Sequence, residues 1–141
     1  MKNFEYIVIV PVMIAIGLAV NADQFIPDFD KMQMIRCDYE ETLYNDDGSE
    51  VSTSSKHILF RIDDQYQRVY IHREPIDHLL NLDSGRIEYN LQTMSDDYIA
   101  MEHAVVDRTA GTYTAAARIT YDNEIYGIRT SKSSGTCKVL Q

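Results

Sequence analysis

Four histidines, His57, His72, His78 and His103, are the side chains of this chain best suited to proton transfer or metal ligation near neutral pH. His72 and His78 stand six apart across Pro75, which matches no zinc spacing on a helix or a strand. His78 follows Asp77 directly, and neighbours in sequence do not make an oriented pair. A small hydrolytic enzyme would need the fold to gather His72 or His103 with a carboxylate in a pocket. There is no G-x-S-x-G, P-loop, H-E-x-x-H or G-x-G-x-x-G. No catalytic residue, metal ligand or cofactor is therefore assigned.

The acidic pairs Asp46-Asp47, Asp63-Asp64 and Asp96-Asp97 all fall where turns are expected. Calcium needs six to eight oxygens around one ion, and only Asn45–Glu50 is dense enough to be compared with that. It lacks the spacing of an EF-hand loop, and turn chemistry alone accounts for Asn, Asp and Gly there. Ten tyrosines with no tryptophan give a different signal. Tyr66, Arg68, Tyr70 and His72 alternate along one run, a mixed aromatic and cationic strip of a kind enriched at interfaces. They are the candidate partner-binding residues, together with Gly111 and Tyr113. Ala115 and Ala117 alternate between Tyr113 and Ile119; facing inward, they would leave room for a small apolar ligand or for packing of the 74–84 segment.

Cys37 and Cys137 lie near the two ends of the region that would carry these residues. Neither has a second ligand in C-x-x-C or C-x-x-H spacing, so a disulfide is expected if the chain reaches an oxidising compartment.

The N-terminus argues that it does. Lys2 opens a short polar stretch, Ile7–Val20 then runs fourteen residues without a charge, and Val20-Asn21-Ala22 has the small-residue pattern of a cleavage site. A membrane span needs about 20 apolar residues, and this run contains Pro11 as well. The expected organisation is a signal peptide over 1–22 and a single domain over 23–141, periplasmic or secreted, with no membrane association after cleavage. Lys2 and Glu5 cancel, so the mature chain keeps the net charge of −9. That charge repels nucleic-acid phosphates and suits a basic protein or a small ligand as partner.

The elements that must position these residues read as strands. From Met32 onward the apolar period is two rather than 3.6. Ile35, Cys37, Tyr39 and Leu43 share one side; Asn45–Ser55 reads as a turn widening into a Ser/Thr-rich loop. His57–Ile62 and Gln65–His72 form a hairpin about Asp63-Asp64. Residues 75–83, with Pro75 first and Gly85 beyond, fit a short helical or loop insertion. Arg86–Met94, Tyr98–Asp107 and Thr112–Tyr121 alternate, although the Ala-Met-Glu-His-Ala centre of the second also suits a helix. Ile125–Thr130 and Thr136–Leu140 flank a turn at Ser131–Gly135. The expected fold is all-β: an antiparallel meander of seven or eight short strands closing into a small barrel or a sandwich, with first and last strands adjacent.

Two stretches, Val106–Tyr113 (VDRTAGTY) and Ser134-Gly135-Thr136-Cys137, resemble a loose group of small exported bacterial β-domain proteins of uncharacterised function. Those end in an Arg-x-x-Gly hairpin and a Gly-x-Cys terminus. Arg36-Cys37-Asp38-Tyr39, the late Cys137 and Gly111-Thr112-Tyr113 are similar to features of bacterial inhibitors of C-type lysozyme. That resemblance implies a β-barrel and inhibition of lysozyme or another periplasmic hydrolase by a loop about Gly111 and Tyr113. Lipocalins and avidins depend on tryptophans, which this chain lacks. The leading expectation is an exported, non-enzymatic binding protein; an inhibitor, a small-ligand carrier and a small hydrolase are the alternatives.

Overall fold

The computed structural model describes residues 26–140. The signal peptide expected over 1–22 lies outside these residues. Phe29–Lys31 forms a single 3-10 turn. The chain from Met32 is a nine-stranded antiparallel sheet, curled into a half-barrel. Its strands are β1 (Gln33–Asn45), β2 (Glu50–Asp63), β3 (Arg68–Ile71), β4 (Glu74–Pro75), β5 (His78–Leu82), β6 (Arg86–Met94), β7 (Tyr98–Asp107), β8 (Thr112–Tyr121) and β9 (Ile128–Val139). The strand order is β4-β3-β2-β1-β9-β8-β7-β6-β5. First and last long strands therefore lie side by side, and the sheet opens between β4 and β5, which are consecutive in the chain. The meander is as expected; its closure stops at a half-barrel.

Alternation decides which side is the core. Ile35, Cys37, Phe60, Ile62, Val69, Ile87, Tyr89, Ala104, Val106, Tyr113 and Ala115 form one buried cluster on the inner face. On β7 the buried side is Ala104 and Val106, while Met101, on the opposite side, is 62% exposed. Phe60 packs edge-on against Tyr89 at 5.9 Å and near Tyr113 at 6.4 Å, filling the interior. Burial of side chains of this size contributes about 1.5–3 kcal/mol each. Cys37 and Cys137 face each other across β1 and β9 and form the expected disulfide, S–S 2.04 Å.

Gly135 faces Tyr39 on β1 and Tyr113 on β8 in the pairing register. The two rings meet over it at 4.7 Å. A Cβ here would lie 2.0 Å from the Asp38 carbonyl oxygen and 2.5 Å from Tyr39 Cα. Glycine is the residue that lets the strands approach this closely.

Three local expectations are corrected. Residues 75–83 are not helical: β4 and β5 pair with β3 and β6. Edge positions tolerate the missing N–H of Pro75, and a bulge between Leu79 and Asn81 turns Leu80 outward, 54% exposed. The Ser/Thr-rich run after Ser49 is strand rather than loop, since β-branched and hydroxyl side chains pair well on a wet sheet face; Thr42 and Thr53 share a hydroxyl hydrogen bond at 3.1 Å. Ser131–Gly135 is no turn but the middle of β9, paired on both sides.

Candidate functional site

The half-barrel has two unlike ends. At one, Arg108 is the clasp. Its side chain is 11% exposed and donates to the Asp83 carbonyl at 2.5 Å and to Gln33 Oε1 at 2.6 Å, with Asp64 at 3.8 Å. It thereby ties the β5–β6 and β2–β3 turns to the start of β1. Gly111 closes the neighbouring β7–β8 turn with φ +69°, and its carbonyl accepts from Cys137 N at 2.8 Å. A positive φ favours glycine there.

At the other end the inner face turns from apolar to charged. Tyr39, Glu41 and Leu43 continue the core side of β1; Lys56 continues that of β2, and Glu102 that of β7. Between them β8 and β9 contribute Ala115, Ala117, Ser131 and Ser133, small side chains over which groups from opposite flanks approach. Ser131 and Ser133 are buried. Lys56 Nζ donates to Glu41 Oε1 at 2.8 Å. Burial raises the Glu102 carboxyl above its ordinary value, the Glu41 charge raises it further, and Lys56 partly offsets both. The same surroundings, burial foremost, raise the Tyr39 phenol. Behind these groups Tyr89 and Tyr113 are raised strongly by burial. Tyr89 Oη is buried without a well-formed hydrogen bond, although the Tyr113 hydroxyl approaches it. Glu41 is paired with Lys56, whose side chain is 46% exposed, and both charges act on the more buried Glu102, leaving the group one negative charge in excess when all three ionise. Burying that excess is costly unless a cation meets it.

The rim of this end is aromatic. Tyr98, Tyr121 and Tyr126 follow one another at 5.8 and 5.5 Å. The Arg129 guanidinium lies 4.5 Å from the Tyr126 ring centroid and 5.6 Å from that of Tyr121, within cation–π range. Tyr126 is half-exposed, and Ile125 beside it is 86% exposed.

The candidate strip is divided between β3, which holds Arg68 and Tyr70, and the turns that flank it. Tyr66 lies in the β2–β3 turn, where its N–H donates to Asp63 Oδ1 at 3.1 Å, and is exposed. Arg68 opens β3, Tyr70 is buried at 3%, and His72 adopts φ +57° in the following turn. The His72 carbonyl accepts a hydrogen bond from Arg61. Tyr113 is a core residue at 2% exposure, so its ring does not reach out of the Gly111 hairpin. Ala115 packs against the core cluster, while Ala117, one alternation step on, is half-buried at the charged end.

Of the histidines, His103 has an acidic partner. Its Nε2 lies 2.7 Å from Glu88 Oε2 on the outer face, and this hydrogen bond lowers the Glu88 carboxyl. Among the described residues no hydroxyl or thiol is seen hydrogen-bonded to the ring. His72 stands apart from this pair, in the β3–β4 turn. The Asn45–Glu50 oxygens are engaged in the turn itself: Asp47 Oδ1 accepts from Ser49 N at 2.9 Å and from Ser49 Oγ at 2.6 Å.

Glu41, Lys56 and Glu102 were not among the candidates, because nothing in sequence links positions on β1, β2 and β7. The available signal was a charged residue on an otherwise small and apolar alternation, Ala100, Glu102, Ala104, Val106. No protein-family model matches the chain, and no curated protein matches it.

Proposed function

We propose that this is an exported, non-enzymatic binding protein that receives a basic protein partner at the charged, open end of its half-barrel. One observation carries the reading: Glu41 and Glu102 lie on the core side of β1 and β7, and Lys56, paired with Glu41, partly offsets the charge on Glu102. A lysine or arginine side chain entering from a partner would supply the missing charge in a low-dielectric setting, where pairing is strong. The net charge of −9 steers a cationic partner toward the molecule. The aromatic rim at Tyr98, Tyr121 and Tyr126 offers the contact types enriched in protein interfaces. Export is supported by the signal-like N-terminus and by the disulfide, which persists in oxidising compartments.

Inhibition of a basic hydrolase such as a C-type lysozyme is one use of such a surface. It would proceed through this end rather than through the Gly111 hairpin, whose tyrosine is buried. The test is titration of the oxidised protein with a C-type lysozyme at 25 mM and 300 mM salt, read by calorimetry and by residual lysozyme activity. Binding that weakens at least about tenfold at the higher salt supports steering and a charged contact. Undetectable binding at 25 mM to this and to other basic proteins would refute the reading.

A further inference from the structure

The outer face of the sheet carries a second feature of opposite charge. Across β6, β7, β8 and β9 the register sets Asn90, His103, Ala116 and Lys132 in one row, and Gln92, Met101, Arg118 and Thr130 in the next. Ala116 is the one small side chain at the centre, ringed by longer neighbours. A trough of 710 Å³ runs from His78 to Lys132. A second, of 530 Å³, continues toward Tyr44 and shares His103, Ala116 and Lys132 with it. Such volumes are those of small-molecule sites rather than of flat contact surfaces.

The charges along this trough are distinctive in so acidic a chain. Lys132 faces Ala116, and Arg118 lies two residues along the same side of β8, a diagonal separation of about 7–8 Å. Among the described residues neither cation is engaged in an ion pair. Two acids border the troughs on this face: Glu88, already held by Arg86 at 3.1 Å and by His103 at 2.7 Å, and Glu40, beside the second trough. In the pairing register both lie one row beyond Lys132, on the side away from Arg118, so across β6 to β9 the two rows that hold Lys132 and Arg118 carry no acid. The adjoining surface is apolar: Met101 is 62% exposed, with Ala116 beside it in the trough.

We propose that this trough binds a small amphipathic anion, a carboxylate or phosphate head on an aliphatic body. The head sits between Arg118, whose fork suits either group, and Lys132. The body lies over Ala116 and Met101 toward His78. Glu102 also borders the trough but alternates to the core side of β7, so the site does not depend on the partner-binding reading.

The experiment is calorimetric titration of the oxidised protein with dodecanoate below its micelle concentration, alongside acetate, dodecyl maltoside and phosphatidylglycerol vesicles. Amide shifts measured by NMR locate the contact. Saturable binding of dodecanoate with shifts at Ala116 and Met101 is expected. Acetate and dodecyl maltoside, each lacking one half of the ligand, should bind at least about tenfold more weakly. Arg118→Gln combined with Lys132→Gln should lose at least about tenfold in affinity. Ala116→Leu should lose as much while keeping both charges, because it fills the dip. Absence of dodecanoate binding, equal binding of the maltoside, full affinity in the charge variant, or binding to the vesicles alone would each overturn the proposal.

Discussion

Glu102 occupies the core side of β7, one alternation step from Ala104, and its carboxyl is raised by burial and by Glu41. The folded protein consequently holds the Glu102 proton more tightly than the unfolded chain does. Stability then falls as pH rises from the ordinary glutamate value through the raised folded value, and the full cost is present above it. Glu102→Gln removes that cost. It should raise the melting temperature at pH 7 by about 2–4 °C and leave it nearly unchanged at pH 4, where both states are largely protonated. Equal melting temperatures at pH 7 would mean that Glu102 is not desolvated. A residue that weakens the fold where it meets solvent is the usual mark of a binding surface. Sequence alone placed Glu102 in an alternating strand but did not say which side was inward. Ile99, Met101 and Val105 form the more apolar side by composition, yet the small side, Ala100 to Val106, is the one the curled sheet can bury.

At the scale of elements, period-two alternation located β1, β6, β7 and β8 because each has one face against the core. It missed the first half of β2 and the join within β9. Ser, Thr and Gly in those stretches read as turn chemistry, whereas pairing of long neighbouring strands satisfies their backbone groups instead. The segment 75–83 misled for a related reason: Pro and Gly fit a helix start and stop, but an edge strand tolerates both. Gly135 joins these elements most tightly. Gly135→Ala would push a methyl group into the Asp38 carbonyl and the Tyr39 backbone, both fixed by pairing. A loss of at least about 3 kcal/mol is expected, on the scale of severe overpacking, measured by urea denaturation of the oxidised protein. A loss under about 1 kcal/mol would show that β1 and β9 can separate locally.

For the whole molecule, the disulfide joins the first and last strands, β1 and β9, at the centre of the sheet. It closes a loop spanning 100 residues. In the chain-entropy model such a link stabilises the fold by about 4–5 kcal/mol. Cys37→Ser with Cys137→Ser should lower the urea midpoint accordingly, and reduction of the native protein should match it. The pairing was legible in the sequence because cysteine count, cysteine position and a signal-like N-terminus all pointed to it. The functional end was not, since Glu41, Lys56 and Glu102 meet only when β1, β2 and β7 curl around the small residues of β8 and β9. Of the expected strip at Tyr66–His72, Arg68 and Tyr70 lie within β3, which is four residues long, and Tyr66 and His72 fall in the turns on either side of it.

The most direct test of partner binding is the affinity for a C-type lysozyme, or another basic protein found to bind, of the wild type and of Glu102→Gln, at 25 mM salt. The wild type is expected to bind at least about tenfold more tightly, the difference a charge-assisted contact contributes, while the variant is the more stable of the two at pH 7. Equal affinities in two folded proteins would contradict the account and place the partner elsewhere on the molecule.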